Sequence, residues 1–267
     1  MRLNEKVVAI VGAGQTAGET IGNGRAAALR FAQEGARLIL ADRDISSAEE
    51  TREMLRADSL DGAVVRADVN RESDCAGIVA AATEQHGRLD ILHYNVGRSE
   101  GDAEVAMLDI EQWDQIMSMN LRGFYLCCKH ALAVMRTQKS GVILCISSAA
   151  ALASGSNMTY KASKAGMNAL VQSMAISNGP HGIRVNAIMP GLMDTPMAIE
   201  RRTRERGVDR DTVRQERNRA VPLLGKMGTA WDVANAAVFL ASDEASYVTG
   251  IALAVDGGIT ALSLIHI

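Results

Sequence analysis

Tyr160 and Lys164 stand four residues apart, so on a helix their side chains share one face. A phenol titrates near ~10 in water, and a fixed ammonium beside it favours the phenolate and lowers that value. Such a pair is a means of moving a proton. A hydroxyl from Ser148, at the end of an apolar run, could hold the oxygen of an alcohol or carbonyl next to the phenol. Together the three residues point to redox or proton-transfer chemistry. A Tyr-x-x-x-Lys spacing also arises on solvated helices with no such role, so the reading depends on the elements that position it.

The apolar run 142–146 reads as a strand that delivers Ser147 and Ser148, and the helix carrying Tyr160 and Lys164 covers about 157–178. Near the start, a buried strand at 7–11 is followed by Gly12, Gly14, Gly18, Gly22 and Gly24. A helix over 25–34 is stopped by Gly35, and a strand at 38–41 ends in Asp42. Strand, glycine turn, helix, strand and acid form the dinucleotide-binding arrangement. Glycines let the backbone approach a pyrophosphate, and the helix N-terminus offers N–H donors and a positive dipole end. Asp42 suits two ribose hydroxyls and repels a 2′-phosphate, which favours NAD, although Arg43 beside it could accommodate NADP.

The alternation continues, with helices at about 46–57, 71–86, 110–137 and 231–241. Further strands are expected at 63–67, 89–94, 183–188 and 251–255. Alternating strands and helices predict a parallel sheet covered on both faces. The expected fold is a single-domain doubly wound α/β protein, a Rossmann fold of about seven strands. No linker, repeat or low-complexity stretch divides it.

The 267 residues carry a net charge of −3, which offers no field for nucleic acid or an anionic membrane. Aromatic residues are 3 % of the chain, so its core must be built from Ala, Val, Ile, Leu and Met. Cys75, Cys127, Cys128 and Cys145 have neither zinc spacing nor a disulfide framework, and read as reduced, mostly buried thiols of a cytoplasmic protein. The five histidines form no cluster at ligand spacing, so no metal site is expected. The polar stretch 1–6 carries no secretory pattern, and no apolar run is long enough to span a bilayer. Residues 262–267 read as a non-native read-through tail, leaving a domain of 1–261.

At this point the chain resembles the short-chain dehydrogenase/reductase family over nearly its whole length. The matching features run in order: the glycine loop, Asp42, Asp68-Val69, Asn95-Val96-Gly97, Asn120, Ser147-Ser148, Tyr160 with Lys164, Pro190-Gly191 with Thr195, and Asp256-Gly257-Gly258. The resemblance implies that Tyr160 is the general acid and base and that Ser148 hydrogen-bonds the substrate oxygen. It makes Lys164 a ligand of the nicotinamide ribose that also lowers the phenol. It gives Asn120 a kink in its helix and a water that relays protons from Lys164. It sets Gly12, Gly14, Gly22, Asn23, Gly24, Asp42, Arg43, Asp68, Val69, Asn95, Gly97, Pro190, Gly191 and Thr195 against the cofactor, with Tyr160 and Lys164. It also implies a homotetramer paired through the helices at about 110–137 and 157–178. The substrate is then a small alcohol or ketone. A nucleotide sensor of the same fold would not need Asn120, Ser148, Tyr160 and Lys164 together.

Several points stay open in the sequence. The family has three residues between its first two glycines, whereas nine separate Gly12 from Gly22 here. Which of Gly14, Gln15, Thr16 and Gly18 touch a pyrophosphate is undecided. Asn23 stands where the family has Ile, and the interval from Ser148 to Tyr160 is one residue short, which leaves Ser147 as the alternative serine. Asp68 could accept from the adenine amino group or cap a helix. Met193 and Met197 could line an apolar substrate pocket or simply pack. The substrate pocket is expected from 154–159 and from a lid at about 192–224. Within it, 200–219 holds eight arginines and five acids, which suit either an acidic substrate or solvated ion pairs.

Overall fold

Strand β1 (Val7–Val11) is buried along its length, and its side chains divide between two cores. Val7, Ala9 and Val11 enter one, and Val8 and Ile10 the other, as the two-residue period of a strand requires. A strand buried on both faces has to be apolar at every position, which is why this one reads as an unbroken aliphatic run. The computed structural model describes residues 1–152 and 157–262.

The other strands are β2 (Arg37–Asp42), β3 (Gly62–Arg66), β4 (Ile91–Tyr94), β5 (Gly141–Ile146), β6 (Ile183–Pro190), the two-residue β7 (Met193–Asp194) and β8 (Gly228–Thr229), and β9 (Ala252–Val255). Seven of them form one parallel sheet in the order β3-β2-β1-β4-β5-β6-β9. Helices α1 (Asn23–Gln33) and α9 (Ala230–Ala241) pack on one face through Phe31 and Val233. Helices α3 (Glu72–His86), α5 (Gly123–Gln138) and α6 (Met158–Asn178) cover the other through Ile78, Phe124 and Met167. Helix α2 (Ile45–Ala57) follows β2, its first turn capped by the Asp44 carboxylate. The strand order reverses between β1 and β4, whose last residues Val11 and Tyr94 are register partners. In open α/β sheets, ligands bind in the crevice outside the carboxyl ends at such a reversal.

The strand expected at 89–94 begins only at Ile91, the short β7 and β8 are not expected from the sequence, and two helices differ in ways that bear on the site. Helix α1 begins at Asn23, two residues early, because Gly22 serves as its N-cap. The helix expected over 110–137 is divided into α4 (Ile110–Met117), a π turn at Ser118–Arg122, and α5. A π turn widens the ladder and frees a carbonyl. Here the buried Tyr94 hydroxyl donates to Met119 O at 2.6 Å. A strand residue thus takes up the freed carbonyl, a partner that helix periodicity cannot reveal.

Beyond β7 stands an arm of two helices, α7 (Pro196–Arg206) and α8 (Arg210–Arg219), with a small core of Ile199, Val213, Val221 and Met227. Much of its charge is spent on ion pairs: Arg206 with Glu216 at 2.6 Å, Arg210 with Glu200 at 3.0 Å and Arg214 with Asp194 at 3.2 Å. All four cysteines are buried thiols. Among the described residues there is no cluster of possible metal ligands and no helix long and apolar enough to cross a membrane.

Candidate active site

A cleft of about 460 Å3 opens at the reversal between β1 and β4. Every residue that the resemblance set against the cofactor lines it, from Asp42, Arg43, Asp68 and Val69 at one end to Pro190, Gly191 and Thr195 at the other. Asn120 does not line it. Two glycines make the approach possible. Gly12 sits at φ +86°, and a Cβ on Gly24 would lie 1.9 Å from Gly12 O. The first turn of α1 therefore packs directly on the end of β1, leaving room above it for a ligand backbone or phosphate.

The long glycine loop folds back on itself and on α2. Gly14 N donates to Asp42 Oδ2 at 2.9 Å and Gln15 N to Ser47 Oγ at 2.9 Å, while Gln15 Oε1 accepts from Gly22 N at 2.8 Å. Gly14, Gln15 and Thr16 line the cleft. Gly18 instead packs on Pro196 and Glu200. Glu19 reaches Arg214 at 3.1 Å and Arg210 at 3.4 Å. The added residues thus tie the nucleotide end of the cleft to the α7–α8 arm. Asp68 does not cap α3, whose N-cap is Arg71. Its carboxylate accepts instead from Asn70 N and Nδ2, both at 3.0 Å.

At the other end, β5 and α6 bring three side chains together. Ser147 is buried and its hydroxyl donates to Lys164 O at 3.1 Å, so it is occupied within the fold. Ser148 faces the phenol of Tyr160. Burial raises that phenol above its ordinary value, while the Ser148 hydroxyl and the charges of Arg201 and Arg202 pull it back down. Lys164, which the resemblance made a cause of that downward pull, is not among these causes. The Lys164 ammonium lies 5.6 Å from the Tyr160 ring centroid and donates to Ile146 O at 2.7 Å. Burial lowers it to about 8, which brings its proton exchange close to neutral pH.

Asn120, in the π turn, accepts from Arg98 N at 2.8 Å and donates to Arg98 O and Ser163 Oγ, both at 2.9 Å. It ties the segment after β4 to the helix that carries Tyr160. Met193 and Met197 both line the cleft, and Met193 is also part of the core. Of the pocket expected at 154–159, residues 154–156 lie outside the described residues.

Sequence reasoning missed two participants. Arg217 lines the cleft, but nothing in its spacing separates it from the other arginines of the arm. Asp102 accepts from Thr159 N at 3.2 Å and Tyr160 N at 2.8 Å. A carboxylate from a distant loop thus caps the first turn of α6 and fixes the entry of Tyr160. A lone loop aspartate carries no sequence signal for that role. Asp102→Ala is expected to cost about 1 kcal/mol of stability. It should also lower turnover with little change in dinucleotide affinity, read by urea melts, steady-state kinetics and dinucleotide titration. An unaltered kcat would limit Asp102 to capping.

A doubly wound sheet with this crevice, and hydroxyls at the end opposite an acid, defines a Rossmann-fold oxidoreductase. The comparisons agree. A family model described as enoyl-(acyl carrier protein) reductase matches residues 17–260. The chain is 37 % identical over 250 residues to 2-(R)-hydroxypropyl-CoM dehydrogenase of Xanthobacter autotrophicus, covering 92 % of this chain and 97 % of that one. It is 36 % identical to cis-4-hydroxycyclohexanecarboxylate dehydrogenase of Sinomonas cyclohexanicum, over 97 % and 98 % of the two chains. A solved levodione reductase superposes with a TM-score of 0.91 at 31 % identity, over 98 % of this chain and 100 % of that one. The chain belongs to the short-chain dehydrogenase/reductase family, whose members use nicotinamide dinucleotides.

Proposed function

We propose that this protein is an NAD-dependent dehydrogenase that interconverts a secondary alcohol and its ketone, with Tyr160 as general acid and base. The observation that carries the reading is the shared cleft, which has Asp42 at one end and Ser148 with Tyr160 at the other. The residues present fit a dinucleotide: the close approach of Gly24 to Gly12 leaves a cradle, and the Thr195 side chain makes no capping bond to α7. Asp42 would hold the adenosine ribose, the first turn of α1 the pyrophosphate, and Lys164 and Thr195 the nicotinamide end.

When bound, the nicotinamide supplies the hydride acceptor. Ser148 Oγ donates to the substrate oxygen and fixes the carbinol carbon. Tyr160 Oη takes the hydroxyl proton as the carbinol C–H bond breaks with its electron pair, and the carbonyl forms between those atoms. In the reverse direction the phenol gives the proton back. Oxidation needs the phenolate, so it is expected to rise with pH, whereas reduction needs the phenol and is expected to fall at high pH. The arm at 192–224 serves as the substrate lid of a 1–261 domain. Tyr125 on α5 and Ile176 on α6 are exposed apolar side chains that suit subunit contacts in a cytoplasmic homotetramer.

The test is oxidation of a panel of secondary alcohols, sugars and hydroxy acids with NAD and NADP in parallel. A like charge set against the Asp42 carboxylate costs several kcal/mol, so NAD is expected to win by about 100-fold in kcat/KM. Equal or better turnover with NADP would remove the role given to Asp42.

A further inference from the structure

The arm that covers the cleft has a divided charge pattern. Arg201, Arg204, Arg206, Arg210 and Arg214 each have a carboxylate partner. Arg202 and Arg217 have none within 4.0 Å among the described residues. Arg219 is also without one, but it is exposed, where an unpaired charge is solvated.

Arg202 and Arg217 are not on the solvated side. Arg202 follows the buried Ile199 by three residues, and Arg217 follows the buried Val213 by four. Helical spacing therefore places both on the inward faces of α7 and α8. Arg217 lines the cleft with Tyr160, Thr195 and Met193. Its polar contacts are Met227 Sδ at 3.2 Å and Met193 O at 3.4 Å. Arg202 does not itself line the cleft; it donates to Ala198 O at 2.8 Å, and Ala198 is part of the cleft wall, so Arg202 stands directly behind it. Neither guanidinium is neutralised, and each is a five-donor fork with most donors unspent.

We propose that Arg202 and Arg217 bind a carboxylate on the substrate, which makes this enzyme a dehydrogenase of hydroxy acids. The proposal deepens the functional reading above and rests on it. Arg202 and Arg217 are both half-buried; an unpaired charge removed from water is costly unless a partner arrives, and a planar fork suits a carboxylate in a bidentate pair. The electrostatics agree. Burial lowers Arg217 to about 10; the repulsion of Arg202 and Arg201 adds to this, and the Asp194 carboxylate, beyond ion-pair distance, offsets only part of it. Burial and Arg201 likewise lower Arg202 against a partial pull from Glu205, and its charge is felt at Tyr160. A carboxylate seated there relieves the repulsion and orients the carbinol beyond it toward the phenol and Ser148.

The rival partner is the pyrophosphate of the cofactor, and the test separates the two. Secondary hydroxy acids and their methyl esters are compared in matched pairs at saturating NAD, with wild type, Arg202→Met, Arg217→Met and Arg217→Lys. Benzoate is titrated calorimetrically into the same proteins with NAD present, and NAD affinity is measured separately. Acids are expected to beat esters by at least tenfold in kcat/KM. Each Met variant should lose on the order of 100-fold on acids, at least tenfold more than it loses on esters, and its benzoate binding, while Arg217→Lys recovers part. Equal use of acids and esters by wild type would overturn the proposal. So would an Arg217→Met variant that loses NAD affinity but keeps the acid preference. If no alcohol reacts but the variants still lose benzoate, the anion site stands and the dehydrogenase reading falls.

Discussion

Tyr160→Phe is expected to lower kcat by about 100- to 10,000-fold, the range in which a positioned acid–base group contributes, with NAD affinity changed less than about twofold. The substitution removes one oxygen and keeps the ring, so the packing of α6 is preserved. That oxygen stands beside Ser148 at the end of the cleft, where it is the proposed proton acceptor. The nucleotide end, from Asp42 to Gly24, is untouched. Stopped-flow turnover and NAD titration on the same samples check both halves. Residual kcat above a tenth of wild type would give the proton to another group, and a parallel loss of NAD affinity would make Tyr160 a binding residue.

Much of this site was legible before the fold was known, for a physical reason. A dinucleotide cradle needs glycines after one strand and an acid after the next, and both are local in sequence. Gly12, Gly24 and Asp42 could therefore be placed on one cleft from spacing alone. Ser148 and Tyr160 are also near neighbours, one two residues beyond β5 and the other in the first turn of α6. What stayed hidden depends on distant chain. The cap on α6 comes from Asp102, more than fifty residues upstream of Tyr160. The π turn at Ser118–Arg122 answers the hydroxyl of Tyr94 in β4. The path of the nine-residue loop between Gly12 and Gly22 is set by Ser47 on α2 and by Arg210 and Arg214 on α8. The sequence also read the arginines of the arm as a group. Only packing separates the paired ones from Arg202 and Arg217, because charge spacing along a helix does not report whether a carboxylate from another element arrives.

Lys164 is expected to make the protein more stable as the pH rises from 8 to 10.5. Its side chain is 2 % exposed, and burial lowers its value from 10.5 to about 8. Below pH 8 the folded and unfolded chains both carry the proton, and the folded state bears the full cost of a buried ammonium. Between 8 and 10.5 the folded chain releases that proton while the unfolded chain keeps it. The unfolded state then binds more protons, so stability climbs with pH, and the gain is complete above 10.5. A shift of this size corresponds to about 3 kcal/mol. Lys164→Met lacks the titration. It also leaves Ile146 O without its 2.7 Å donor, a loss of about 1–3 kcal/mol that does not depend on pH and moves only the level of the curve. The stability of wild type relative to the variant should therefore rise by about 3 kcal/mol between pH 7 and 10.5. Urea melts across that range measure it; groups remote from Lys164 cancel in the difference, and Cys145, which feels the Lys164 charge, is pushed up to about 12 by burial and so stays a neutral thiol in the folded chain over this range. A flat difference would mean that the ammonium is solvated in the folded chain. Lys164 would then be an ordinary surface charge near Tyr160, with no means of exchanging a proton near neutral pH.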